Sequence, residues 1–305
     1  MTTSKSLRKL TVYSLATLIC GAGQVALAHT GIKDKVTEGV AGYNAFTIGH
    51  GCTSNAIPED PNAPPAVAAN VIAMSVVFPN SANPLDSRVY KLDDKGIQIE
   101  ELADLSADIE GVNSGVGFSN MGIGLVAGGG ALFPNIIPAI NPETKAIRGY
   151  HTWSGTGGGP NKGADLQQSP VSMTGLSSFK YGSIKFKPTS CAKSLLVRVA
   201  VANWCKRGAA SKKKADRLDA WIGHTTPLFA DQLTMPRNAA YDAAKEKPFW
   251  PTMTVTRDLA KNPLPGACGS GYDLAIEPAD QDIDKHLPIP TGKFPNGAPG
   301  SKFYE

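Results

Sequence analysis

Glycine and proline punctuate this chain so often, at 32 and 23 of its 305 positions, that long helices are ruled out as its main architecture. Glycine costs a helix backbone entropy, and proline removes a donor and clashes with the preceding turn. Between these breaks the sequence favours strands. Tyr43 to Ile48, Asn70 to Phe78, Ser183 to Lys187, Ser194 to Ala202 and Thr252 to Thr256 are rich in β-branched or aromatic residues and bounded by Gly, Pro or Asn. In the fourth run Leu195, Val197, Val199 and Val201 alternate with Leu196, Arg198, Ala200 and Ala202, a pattern for a sheet with at least one face buried. Two helical runs are expected: Ser211 to Ile222, with Ser211 as N-cap, and Asn238 to Lys247, stopped by Pro248. The expected fold is mainly β, a β-sandwich-like single domain with long loops and a few short helices inserted on a β core.

The first 28 residues read as a secretory signal peptide. Lys5, Arg8 and Lys9 precede an apolar stretch from Leu10 to Cys20, and Ala26-Leu27-Ala28 supplies the small residues of a cleavage site. The apolar stretch falls short of the about 20 residues that a permanent span needs, and no later segment is long enough. The expected division is 1–28 as signal and 29–305 as one β-rich domain, exported to the periplasm, the cell surface or the medium. Cleavage leaves His29 at the N-terminus, where an amine and an imidazole on one residue can chelate a metal. Removing the signal leaves 27 basic and 26 acidic side chains, a net charge of +1. That balance argues against nucleic acid as the partner.

Cys20 leaves with the signal, so the mature chain keeps Cys52, Cys191, Cys205 and Cys268. Four cysteines in an exported chain read as two disulfides, with three connectivities open. A Cys191–Cys205 bond would staple the strand run between them. No C-x-x-C occurs, which disfavours thioredoxin-like redox chemistry and a thiolate zinc ribbon.

Other nucleotide and hydrolase signatures fail. Gly122-x-Gly124-x-x-Ala127 runs into three more glycines instead of a helix, the Gly155 to Gly159 cluster lacks P-loop spacing, and neither G-x-S-x-G nor H-E-x-x-H is present. The basic group Lys206, Arg207, Lys212, Lys213 and Lys214 reads as a solvated run.

Five histidines remain: His29, His50, His151, His224 and His286. His50 shares parity with Phe46 and Ile48 and lies beside Cys52, so it continues the inward face of its strand. His151 and Trp153 share parity in Tyr150-His151-Thr152-Trp153, which sets their side chains on one face about 7 Å apart along an extended chain. Nothing in the spacing gives His286 a role.

The segments Ala41-Gly42-Tyr43-Asn44-Ala45-Phe46-Thr47-Ile48-Gly49-His50-Gly51-Cys52, Gly149-Tyr150-His151-Thr152-Trp153 and Asp219-Ala220-Trp221-Ile222-Gly223-His224-Thr225-Thr226 resemble the secreted copper-binding proteins of methane-oxidising bacteria, the CorA and MopE type. The resemblance implies a β-rich fold holding one copper(I) with two histidines, and a tryptophan oxidised to kynurenine as a further contact. Carried over, it makes His50 and His151 the metal ligands and Trp153 the kynurenine precursor, with His286 dispensable. A thinner resemblance, to the YcnI-like periplasmic copper proteins, rests on the mature N-terminal His and the His-Gly-Cys segment, and implies His29 as a ligand.

Neutral imidazole suits copper, and the scarcity of thiolate and clustered carboxylate disfavours calcium, magnesium and thiolate zinc. Intact Trp153 lacks a nitrogen lone pair to offer, whereas kynurenine carries an aromatic amine. The leading expectation is a non-catalytic, exported copper(I)-binding protein for copper acquisition or delivery. Its partners would be the copper ion and the cell surface or an outer-membrane protein. The alternative is a copper-dependent oxidase or monooxygenase using a histidine brace at His29. A third reading is an adhesin or carbohydrate-binding module working through surface aromatics such as Trp221 and Trp250.

Overall fold

The structure is a computed structural model and describes residues 30–48, 52–53, 68–79, 86–111, 124–125, 133, 135–143, 145, 147–153, 175–207, 217–223, 226–229, 241–242, 247–248 and 250–289. The expected signal peptide, His29, His50 and His224 lie outside the described residues. In chain order the strands are β1 (Thr30–Ile32), β2 (Val36–Thr37), β3 (Gly42–Ile48), β4 (Cys52–Thr53), β5 (Ala68–Val77), β6 (Ser87–Leu92), β7 (Gln98–Leu102), β8 (Gly124–Leu125) and β9 (Asn135–Ile140). They continue as β10 (Ile147–Trp153), β11 (Gly175–Tyr181), β12 (Ala192–Arg198), β13 (Ala200–Arg207), β14 (Arg217–Trp221), β15 (Tyr241–Asp242), β16 (Lys247–Pro248), β17 (Thr252–Thr256) and β18 (Tyr272–Pro278), followed by helix α1 (Asp280–His286).

The fold is mainly β, as the punctuation of the sequence requires. Three sheets carry it. One has the order β1-β3-β11-β8. A second runs β14-β13-β5-β10-β9, with β4 also paired to β5, and a third runs β2-β17-β12-β18-β6-β7. Their facing sides enclose the main core. Phe46 and Phe179 come from the first sheet, Val76 and Tyr150 from the second, and Leu195, Val197, Val255 and Ile276 from the third. Ring centroids lie 5.0 Å apart for Phe46–Phe179 and 6.4 Å for Phe46–Tyr150, within the range of favourable aromatic pairs.

The Ser194 to Ala202 run does more than form one strand. It breaks at Val199, whose N–H donates to the Pro251 carbonyl, so β12 belongs to the third sheet and β13 to the second. The alternation survives the corner: Leu195, Val197, Val199 and Val201 all face the main core, while Ala200 and Ala202 enter a second cluster behind the second sheet. That second cluster explains why β5 and β13 are apolar on both faces. It joins Ile72, Val77 and Trp204 to Ile222, Phe229, Trp250 and to Ile283, Leu287 and Ile289 in and after α1.

Several expectations are corrected. Arg217–Trp221 is strand, not helix, because Ala220 and Trp221 point to opposite clusters in a period of two. Tyr241–Asp242 pairs with Lys247–Pro248 as short strands, which overturns the helix expected there. Ser183–Lys187 forms only an isolated bridge, Ile109 to Phe186, made by Lys187 N–H to the Asp108 carbonyl at 2.8 Å and Glu110 N–H to the Lys185 carbonyl at 2.9 Å. Phe186 N–H, on the other edge, is taken by Glu38 Oε2 at 2.9 Å instead of by a further strand. Cys191 is bonded to Cys268, Cα–Cα 5.3 Å, which excludes the hairpin staple. The bond ties the starts of the adjacent parallel strands β12 and β18. Cys205 is also disulfide-bonded. Among the described residues no helix is long and apolar enough to cross a membrane.

Candidate metal centre

Strand β10 carries the sequence Ile-Arg-Gly-Tyr-His-Thr-Trp between β5 and β9. Its pleat separates the side chains as expected. Tyr150 enters the main core, with its hydroxyl 3.2 Å from Ser177 Oγ, while Trp153 packs against the second cluster. His151 shares the parity of Trp153 and stands opposite Ser75 on β5 and Ile137 on β9. Ser75 is itself engaged, accepting from the Trp204 indole N–H at 2.7 Å.

Arg148 breaks this pattern usefully. Strict alternation would put it on the Tyr150 side, but the β9–β10 register shifts between Ile147 and Gly149, and such a bulge re-aims a side chain. Gly149 permits the close approach that follows: a Cβ there would lie 1.7 Å from the Val76 carbonyl oxygen. The Arg148 guanidinium reaches α1, where Nε donates to Asp282 Oδ1 at 2.9 Å and to Oδ2 at 3.1 Å. Both side chains are buried. A planar fork on a carboxylate fixes orientation as well as position.

Helix α1 is therefore held against β10 by an ion pair and by Ile283 and Leu287 in the second cluster. One turn beyond Asp282 on the same helix face stands His286, only 7% exposed. Its Nε2 lies 3.6 Å from Asp282 Oδ1, too far for a hydrogen bond. His151 is 1% exposed. His151 Nδ1 and His286 Nε2 are both buried with no hydrogen-bond partner among the described residues.

Burial dominates the electrostatics of both rings. Burial pushes His151 down to about 4, and the neighbouring His286 pushes in the same direction. Burial also holds His286 down at about 4, helped by Arg148 and Lys285 and opposed by Asp86. Both imidazoles are neutral near pH 7, and a neutral imidazole keeps one nitrogen lone pair free to bind. Trp153, Trp204, Trp250 and Phe229 belong to the second cluster, which α1 shares through Ile283 and Leu287. Trp250 rests on Gly223, whose φ is +69° and where a Cβ would meet the indole nitrogen at 2.1 Å.

Of the residues the sequence singles out, His151 and Trp153 come together on one face of β10. His50 and His29 lie outside the described residues. His286, to which the sequence gives no role, is brought to His151 by α1. Trp221 and Trp250 are buried, so neither is the surface aromatic that a carbohydrate-binding reading needs. Among the described residues no group of three or more His, Cys, Asp and Glu side chains is arranged to hold a metal ion. What the described residues offer is two buried, neutral imidazoles, one on β10 and one on α1 beside the Arg148–Asp282 pair. No protein-family model, curated protein or solved structure matches the chain.

Proposed function

We propose that this is an exported copper(I)-binding protein that acquires or delivers the ion without turnover. The observation that carries the reading is His151, buried and neutral, with a ring nitrogen that has no hydrogen-bond partner among the described residues. Leaving such a nitrogen unsatisfied costs about 1–3 kcal/mol, and a bound metal removes that cost. The surroundings favour a monovalent ion. Charging a buried site is expensive, and the expense grows with the square of the charge, so one positive charge on two neutral donors is far cheaper than two.

The resemblance to the CorA and MopE type supplies the rest: a second histidine beside His151, and Trp153 as a residue partly oxidised to kynurenine. Trp153 shares the His151 face, which is where such an amine would be useful. Copper analysis of the secreted, mature protein, combined with peptide mapping, tests the reading. It expects about one copper per chain, an N-terminus at His29 and kynurenine at position 153. Rapid oxygen consumption by the copper-loaded protein with a reductant would instead favour a brace at His29.

A further inference from the structure

We infer that His286 of α1 is the second imidazole of the copper(I) site, joining His151 of β10 in the position the resemblance gives to His50. The inference rests on the copper reading above and names the ligand set.

Three independent features converge on this pair. Each ring is more than nine-tenths buried, and each has a nitrogen without a hydrogen-bond partner among the described residues. Buried polar groups normally find partners, so two exceptions on elements packed together mark a place where something else supplies the partner. The second feature is construction. Arg148 reaches through a bulge to grip Asp282, and His286 follows Asp282 by one helical turn, so one ion pair sets the helix that presents the ring. A core histidine filling space needs no such clamp. The third is chemistry: the rings come from two elements joined by the Arg148–Asp282 pair and by the second cluster, and two neutral imidazole nitrogens suit a d10 monovalent ion, which accepts two-coordinate geometry.

Asp282 does not compete for the ion. Its carboxylate is committed to Arg148, and the pair is charge-balanced before copper arrives. Trp153, Trp204, Trp250 and Phe229 lie in or against the same cluster as Ile283 and Leu287 of α1, so water is excluded from this side of the helix.

The test is anaerobic Cu(I) titration of the mature full-length protein in competition with a bicinchoninate chelator, with X-ray absorption at the copper edge, on wild type and on His286→Ala, His286→Met and His50→Ala. We expect His286→Ala to lose competitive binding and the two-coordinate edge feature. His286→Met should retain one equivalent with a sulfur donor in the spectrum, because thioether also binds Cu(I). His50→Ala should bind like wild type. Wild-type binding by His286→Ala together with loss in His50→Ala overturns the inference and leaves the copper reading standing. Failure of the wild-type protein to take up Cu(I) overturns both. Should His286→Ala unfold, as circular dichroism would show, His286→Met decides: retained copper without a sulfur donor contradicts the inference.

Discussion

At the residue scale, the two buried histidines make the metal-free protein sensitive to acid. Their folded-state values, about 4, lie below the ordinary value of 6.5. Between these limits the two rings bind more protons in the unfolded chain than in the folded one, an excess that Asp282, pushed up to about 6 by burial, partly offsets. The stability associated with the neutral rings is present above about pH 6.5 and is lost as pH falls towards 4. Urea denaturation of the metal-free protein at pH 7.5, 6, 5 and 4.5 should show this decline. His151→Leu should flatten it, since an apolar side chain of similar burial has no proton to take up. Gly149 supports a second prediction. With a Cβ placed 1.7 Å from the Val76 carbonyl, Gly149→Ala must push β10 off β5, at a cost of about 3 kcal/mol or more in the same assay.

At the element scale, the clamp between β10 and α1 is the feature that joins stability to the site. Removing one partner leaves a buried charge, so Asp282→Ala should destabilise by about 3–5 kcal/mol, whereas Arg148→Met with Asp282→Leu should recover most of that loss. Recovery of stability without recovery of copper affinity would show that the ion pair orients His286, because apolar packing holds the helix down but does not fix its rotation. How much of this was legible in the sequence differs by element. Gly42–Ile48, Ala68–Val77 and Thr252–Thr256 carry β-branched and aromatic residues between clear breaks, and they form strands almost where the pattern sets them. The pairing of His151 with Trp153 followed from parity alone. Helix α1 was hidden because its N-cap is Ala279, with no side-chain oxygen to signal a start. Its remaining signals were Asp280 and Asp282 in the first turn, Lys285 and His286 in the last, and the Ile283–Leu287 spacing. Arg217–Trp221 misled in the other direction, since a polar run before it resembled a helix surface while tertiary pairing with β13 decided the outcome. His286 had no local signature as a ligand: His151 stands 135 positions earlier in sequence, and the contacts that bring α1 to β10, the Arg148–Asp282 pair and the second cluster, are all tertiary.

At the scale of the whole molecule, three sheets share one core, and the chain moves between sheets at Val199 without losing its alternation. The Cys191–Cys268 bond closes a separation of 77 residues. By loop-closure entropy, replacing both cysteines with serine should cost about 4 kcal/mol. Mass mapping of unreduced peptides should find this bond, and Cys205 joined to Cys52, with no free thiol in the mature chain; stoichiometric labelling of any of the four would contradict that pairing. Copper binding through His151 is decided by anaerobic titration of the mature wild-type protein and of His151→Ala with Cu(I) against a chromophoric chelator. Wild type should withdraw one equivalent from the chelator, and His151→Ala should withdraw none while remaining folded. Undiminished copper uptake by a folded His151→Ala variant, or no uptake by wild type, would contradict binding through His151.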